Sequence, residues 1–231
     1  MINRIFSIIA LVAALVLTTF AAPAPYSLFG DAQLVSPGNN SPTAAKLVSD
    51  DSPGYGGIDF NVTSGLTFAD YTTLSTDYLV SVGGCAAGSP RFQFNFKNLD
   101  TNQTGTLEVY FQDVNISQTC QTNQWVASGN LAQVGYVENI TENPNTYIPF
   151  SDAQQQYGSY EITGIQLVID SGYAFTSGEV ILFDNVMINS SLFTFESANS
   201  CKNGGWSSFT SAPGPFTNQG QCVSYFARGG Q

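Results

Sequence analysis

Strict alternation of apolar and polar residues is the feature that most constrains how this chain can fold. In residues 91–97, Phe92, Phe94 and Phe96 fall on one side, and the polar residues between them fall on the other. Successive side chains of a β-strand point to opposite faces, so this pattern predicts a strand with one buried face. The chain must therefore build a sheet whose phenylalanine-rich face packs into a core.

The next segment, residues 106–113, repeats this alternation. Its apolar face consists of Leu107, Val109 and Phe111. Its other face carries a carboxylate, a phenol and an amide, which belong to Glu108, Tyr110 and Gln112. A polar, glycine-containing turn over residues 98–105 separates the two segments, so we expect them to form a hairpin.

Nine short segments in all are typical of strands, and clusters of Gly, Asn, Asp, Ser and Pro separate them. They are residues 46–49, 57–62, 67–80, 91–97, 106–113, 124–130, 147–150, 160–170 and 179–189. No stretch longer than a turn shows the 3.6-residue period of an amphipathic helix. The pattern predicts an all-β, antiparallel β-sandwich of jelly-roll type.

The chain divides into four parts. Residues 1–21 contain Arg4, then an apolar run that is too short to span a bilayer, and then small residues. This order predicts a secretory signal that is cleaved after Ala21. A flexible leader is expected over 22–30, the sandwich over 31–197, and a Gly-, Ser- and Pro-rich appendix over 198–231. We therefore expect a secreted protein, extracellular or associated with the cell wall.

Two further features fit an exported protein. Six Asn-X-Ser/Thr motifs predict N-glycosylation at Asn39, Asn61, Asn102, Asn115, Asn139 and Asn189. The four cysteines form an even set that allows three pairings. We favour Cys85–Cys120 and Cys201–Cys222, because each closes a moderate loop and the second brackets the appendix. The chain has no histidine and its cysteine spacings match no zinc motif.

The charge balance narrows the choice of partners. Six basic residues against 17 acidic ones give a net charge of −11, which argues against nucleic acid and anionic membranes. We expect a monomer whose partner is an extracellular polysaccharide or a protein.

The polar face of the predicted hairpin is the candidate binding surface. Amides, a carboxylate and an aromatic ring suit a sugar, which offers hydroxyl groups and an apolar ring face. The candidate glycan-binding residues are Gln93, Asn95, Glu108, Tyr110 and Gln112, with Gln166 on the same face and Trp125 at the margin. The alternative is that these positions are polar only because water covers them.

Asp184 lies inside an apolar strand and needs a partner, because burying an unpaired carboxylate is costly. Two explanations remain open from the sequence. The carboxylate caps a neighbouring backbone segment, or it binds a structural calcium ion together with backbone carbonyls.

Catalysis has little support in the sequence, and no catalytic residue is assigned. Without histidine, the Ser–His and Cys–His nucleophiles are excluded. A glycosidase would need two facing carboxylates, for which Glu108 with Asp170 is the best pair available.

Three stretches resemble known secreted proteins. Residues 162–189, ITGIQLVIDSGYAFTSGEVILFDNVMIN, resemble the closing strands of jelly-roll carbohydrate-binding modules. Residues 201–226, CKNGGWSSFTSAPGPFTNQGQCVSYF, are similar to a cysteine-bounded segment that ends many secreted microbial proteins, of fungal type, with no assigned function. Residues 52–62, SPGYGGIDFNV, resemble the first core strand of the same uncharacterised group.

Together with the polar face, the resemblance to carbohydrate-binding modules favours a secreted, non-catalytic protein that binds cell-wall glycan. This resemblance also implies that the acid of the last strand, Asp184, is a ligand where calcium is present. Because sandwiches host many functions, two alternatives stay open. The first is an effector-like protein with a protein partner, and the second is a carbohydrate-active hydrolase or lyase.

Overall fold

The structure is a computed structural model, and it describes residues 25–50, 52–85, 88–111 and 120–228. The predicted signal peptide, Gln112 and the glycosylation motif at Asn115 lie outside the described residues.

Two sheets make up the body of the protein. The first sheet has seven strands in the order β1 (Tyr26–Gly30), β4 (Gly56–Phe60), β11 (Glu161–Ile169), β6 (Arg91–Lys97), β7 (Thr104–Tyr110), β9 (Tyr136–Asn139) and β10 (Asn143–Pro149). The second sheet has the order β2 (Ala32–Val35), β3 (Ala44–Ser49), β12 (Glu179–Ile188), β5 (Leu74–Val82) and β8 (Val126–Ala127), with β13 (Ser191–Phe193) also paired to β12.

The strand order confirms the predicted sandwich and its jelly-roll winding. All of the paired strands run antiparallel. Within the two sheets, β4-β11-β6-β7 faces β3-β12-β5-β8, so the chain repeatedly crosses from one sheet to the other. This arrangement is that of an eight-stranded jelly roll. Strands β1, β2, β9, β10 and β13 extend it.

The core lies between the sheets and follows the predicted parity. Phe92, Phe94 and Phe96 of β6 are buried, as are Leu107 and Val109 of β7. The two strands form the predicted hairpin, with a continuous register across all seven residue pairs. Burial of each large apolar side chain contributes about 1.5–3 kcal/mol, so this hairpin anchors the first sheet in the core.

The structure corrects several local expectations. Residues 26–30 form edge strand β1, paired with β4, instead of a flexible leader, because Tyr26 and Leu28 pack on the core. Residues 68–70 form a short 3-10 turn instead of a strand, because the Asp70 carboxylate accepts hydrogen bonds from the backbone and hydroxyl of Thr67.

Helices are present although none was predicted. They are α1 (Leu131–Val134), α2 (Phe150–Tyr157) and α3 (Gln219–Ala227). The eight-residue α2 buries Phe150, Ala153 and Tyr157, which share one helical face. The segment is too short, and its mean hydropathy too low, for this face to stand out in the sequence. No helix of the described residues is long and apolar enough to cross a membrane.

Both predicted disulfides are present, Cys85–Cys120 and Cys201–Cys222. The second closes the C-terminal appendix, whose small core consists of Cys201, Phe209, Phe216 and Cys222, with the aromatic side chains of α3 packed against it. The appendix contacts the sandwich where Thr210 donates backbone and hydroxyl hydrogen bonds to Asn40.

Candidate functional site

One outward-facing side chain from each strand of the first sheet lies in a single row, which we call the polar row. Directly opposed residues on paired strands project to the same face, so the register defines the row. In order across the sheet it consists of Ser27, Asp59, Gln166, Gln93, Glu108, Glu138 and Tyr147. With neighbouring strands about 4.8 Å apart, the row is about 29 Å long.

The two ends of the row differ in accessibility. Ser27 is exposed, and Asp59, Gln166 and Gln93 are half-buried. Glu108 and Glu138 are only 8% and 6% exposed. The row is therefore open to solvent at the β1 end and closed near β9.

At the closed end, Tyr110 joins the two glutamates. Its hydroxyl lies 2.5 Å from Glu108 Oε2 and 2.6 Å from Glu138 Oε2. A phenol can donate only one hydrogen, so it cannot donate to both oxygens at once. Burial, the close contacts with Glu108 and Glu138 and the charges of these two carboxylates together raise the pKa of Tyr110 well above its ordinary value, so the phenol stays protonated.

Arg91 supplies the positive charge of this cluster. Its Nη1 and Nη2 donate to the two carboxylate oxygens of Asp170 at 2.7 and 2.6 Å. Its Nε lies 3.0 Å from Glu108 Oε1, an ion-pair contact without hydrogen-bond alignment. Burial alone would lower the pKa of Arg91, but the hydrogen bonds to Asp170 and the charges of Glu108 and Asp170 raise it overall.

At the open end, several polar groups are available to a ligand. Within the described residues, the side chains of Asp59 and Gln166 make no hydrogen bond. Gln93 donates its amide to Glu108 Oε1 at 3.2 Å, and its side-chain oxygen has no hydrogen-bond partner among the described residues. Asn95, one step along β6, accepts from Thr106 and keeps its amide hydrogens.

Aromatic rings border the face at both edges. Phe29 lies over Gly57, where a side chain of any other residue would collide with the ring, and Tyr55 packs against Phe29 with ring centroids 6.2 Å apart. At the opposite edge, the Tyr147 ring packs edge-on against Tyr110 at 5.6 Å. Tyr55 is 44% exposed, which makes it the most accessible of these rings.

The structure brings most of the candidate residues together but corrects the role of two. Gln93, Asn95, Glu108, Tyr110 and Gln166 lie on one face, as the parity predicts. Tyr110 is only 4% exposed, so it cannot be the predicted stacking ring. Its phenol instead fills the space between two glutamates that come from different strands. Trp125 directly precedes β8 of the second sheet, so no strand of the first sheet carries it.

The suggested acid pair of Glu108 with Asp170 is also corrected. Arg91 contacts both carboxylates, so they neutralise a shared cation and do not face each other across an open gap. Sequence reasoning missed Arg91, Asp59 and Glu138. Arg91 and Asp59 were detectable, since each is the polar neighbour of apolar residues in a predicted strand. Glu138 was not, because β9 has only Val137 as an inward aliphatic residue.

Asp184 is fully buried and held by donors. Its Oδ2 accepts from the Asn39 backbone at 2.8 Å and the Ser41 hydroxyl at 2.7 Å, and Oδ1 accepts from the Asn185 backbone. Burial raises the pKa of Asp184 to about 7. Because N–H and O–H groups surround both oxygens, this donor set does not fit calcium, which requires oxygen ligands. The geometry is that of the backbone cap.

Glu179 is a second buried acid of β12. Its carboxylate contacts the Ser89 hydroxyl through both oxygens at 2.9 Å and accepts from the Ser171 backbone at 3.3 Å. Burial raises the pKa of Glu179 to about 7.

The glycosylation motifs differ in their surroundings. Asn61 and Asn102 are exposed, whereas Asn39 and Asn189 are half-buried. Asn139 is only 1% exposed and its amide donates to Glu142, so a glycan on it would require local rearrangement.

Comparisons with known proteins give no family. No family model matches the chain, and no curated protein matches it. Among solved structures, an exo-beta-agarase is similar over 78% of this chain and 25% of its own, at 12% identity and a TM-score of 0.35. The xyloglucanase domain of NopAA, a type three effector from Sinorhizobium fredii, in complex with cellobiose, is similar over 74% of this chain and 100% of its own, at 11% identity and a TM-score of 0.31. The chain spans a quarter of the agarase. Both neighbours act on carbohydrate by their descriptions, and neither likeness is close enough to support an argument about this chain.

Proposed function

We propose that this protein binds an extracellular polysaccharide, without cleaving it, through the open part of the polar row. The glycan would run across the strands and contact Asp59, Gln166 and Gln93, with Asn95 beside the row and Tyr55 as the stacking ring. The protein would act outside the cell or at the cell wall.

The polar row is the observation that carries this proposal. Its open end offers both hydrogen-bond donors and acceptors in a line, at a repeat close to the length of one pyranose unit in an extended chain. These groups sit on paired strands, so their positions are fixed before a ligand arrives and little ordering entropy is lost on binding. At the edge of the polar row, the exposed ring of Tyr55 adds a stacking surface to these groups.

Single alanine variants test the site. We expect Gln93→Ala and Gln166→Ala each to weaken binding by about 2- to 10-fold, the effect of losing one hydrogen bond in an accessible site. The ligand is first selected from plant, fungal and bacterial wall polysaccharides on an array, and affinity is then measured by electrophoresis in gels that contain it.

Gln33→Ala is the matched control, because Gln33 is an exposed glutamine on β2 of the second sheet. An equal loss in this control, or no binding to any wall polysaccharide, would contradict the proposal. Capture of a protein partner in place of polysaccharide would favour the effector-like alternative.

A hydrolase is the second candidate, and one observation favours it. The shared contact with Tyr110 places the Glu108 and Glu138 carboxylates within about 5 Å, near the spacing used by retaining glycosidases. The phenol oxygen lies between them, however, so a sugar could enter only if Tyr110 moved. We therefore expect no release of reducing ends from the bound polysaccharide. If the wild-type protein releases reducing ends and Glu138→Gln abolishes that release, the function is hydrolysis and not binding alone.

A further inference from the structure

A separate pocket lies between the residues that follow β4 and the turn that joins β12 to β13. It has a volume of about 170 Å³. Its walls include Val62, Leu66, Ile188 and Phe193, and its polar lining includes Ser190. The polar row contributes no residue to it.

A buried phenol without a partner lines this pocket. Tyr71 is 1% exposed, and its ring packs edge-on against Phe94 with centroids 5.1 Å apart. Within the described residues, its hydroxyl has no hydrogen-bond partner. Buried polar groups are almost always satisfied, because leaving one unpaired is costly. The hydroxyl therefore needs a partner from beyond the described residues, and a molecule in the pocket that Tyr71 lines can supply it.

The lining specifies the chemistry of that partner. No charged side chain lines the pocket. Its polar groups are the amides and hydroxyls of Asn61, Thr63, Asn189, Ser190 and Ser191, set against the apolar walls. Neutral donors and acceptors beside an apolar wall fit an uncharged ligand that has hydroxyl groups and one apolar face.

The volume limits what the pocket encloses to a single ring. A cavity of about 150 Å³ is enough to hold benzene, whereas drug-sized ligands occupy pockets of about 300 Å³ or more. A space of about 170 Å³ therefore holds one six-membered ring, and the open side of the pocket leaves room for any further sugar units to extend into solvent.

We propose that this pocket binds one neutral pyranose unit and that the Tyr71 hydroxyl hydrogen-bonds to a sugar hydroxyl. The site shares no residue with the polar row, so its test does not depend on the function proposed for that row. The sugar has two sources on chemical grounds. It is the end unit of an external glycan, or it is the first sugar of a glycan attached to this chain at Asn61, which lies on the pocket wall.

The test measures the binding of four probes by saturation-transfer NMR. The probes are the methyl glycosides of glucose, galactose, xylose and N-acetylglucosamine. We expect at least one to bind with a Kd of about 1–10 mM and Tyr71→Phe to weaken it about tenfold. This change removes a hydroxyl that has no protein partner, so the variant should keep the thermal stability of the wild type. Tyr225→Phe, a half-buried tyrosine in the appendix, is the matched control and should bind as the wild type does.

A second variant blocks the pocket without touching Tyr71. Ser190→Phe places a ring at the exposed lining and preserves the Asn189 motif, and it should abolish binding. The two sources of the sugar are separated by producing the protein in two hosts. The bacterial periplasm gives the unglycosylated form, and a eukaryotic secretory host gives the glycosylated form. Binding by both forms identifies an external glycan end, and binding by the unglycosylated form alone identifies the chain's own glycan. No binding by either form, which would mean that water alone fills the pocket, or equal binding by wild type and Tyr71→Phe, would overturn the proposal.

Discussion

Two groups of acids in the same sandwich, one around Arg91 and one on β12, are stabilised in different ways. On the first sheet, Glu108 and Asp170 share the cation of Arg91, and Tyr110 adds a phenol donor. On the second sheet, Glu179 and Asp184 have only neutral donors, namely serine hydroxyls and backbone N–H groups. The second pair therefore carries a strongly raised pKa, to about 7 for each carboxyl, with burial as the main cause.

The difference shows that a hydrogen-bond donor and a countercharge are not equivalent inside a protein. Neutral donors satisfy the oxygens of Asp184 but leave the cost of burying its charge, so the folded protein favours the protonated acid. A guanidinium offsets the charge itself, at the expense of making three side chains depend on one another.

The largest expected effect comes from removing the cation. Arg91→Met should lower the free energy of unfolding by about 3–5 kcal/mol, because it leaves Glu108 and Asp170 close together without a countercharge. Urea denaturation at neutral pH measures this. Arg228→Met, at an exposed arginine near the end of α3, should change stability by less than about 0.5 kcal/mol. A small loss for Arg91→Met would show that the two groups of acids do not differ as described.

The pH dependence of stability tests the second group. The folded-state pKa of Glu179 and of Asp184 is about 7, whereas the unfolded chain has values near 4. The folded state thus binds these protons more tightly, and stability is lost as the pH rises from about 4 through 7. We expect the free energy of unfolding to fall by roughly 2–4 kcal/mol between pH 6 and pH 8.

Urea midpoints across that range measure the pH effect. Glu196, whose pKa burial also raises and which lies near Asp184, contributes in the same direction. The double variant Glu179→Gln with Asp184→Asn should show a flatter profile than the wild type. An unchanged slope in the double variant would assign the pH dependence to other groups.

The smallest effect concerns single hydroxyl groups. Tyr110→Phe removes the donor shared by Glu108 and Glu138 and should cost about 1–3 kcal/mol, because it leaves buried acceptors unpaired. Tyr71→Phe is the matched comparison, since its hydroxyl has no partner in the described residues, and it should cost about 0.5 kcal/mol or less. Thermal unfolding of both variants checks the difference. Equal costs would mean that the contacts of Tyr110 contribute no stability.

Sequence reasoning succeeded where a signal was local. The alternation around Phe92, Phe94 and Phe96 predicted β6 with its observed bounds, because the period of a strand shows within a few residues. It could not predict that Tyr110 is buried, since its partner Glu138 lies 28 residues away on a strand with a weak pattern. Two partners of Asp184, Asn39 and Ser41, likewise come from a loop more than 140 residues earlier in the chain.

The polar row separates the chemistry of this surface from the packing of the core. Each strand of the first sheet contributes one outward side chain to it, while the neighbours of that side chain hold the core. Substitutions at Ser27, Asp59, Gln166 and Gln93 therefore change the chemistry of the surface without disturbing the packing beneath. Glu108 and Glu138 are tied into the charged cluster and lack this freedom. The protein thus carries a fixed half and a variable half on one surface, an arrangement that lets selection, or a designed library, change the exposed chemistry one strand at a time.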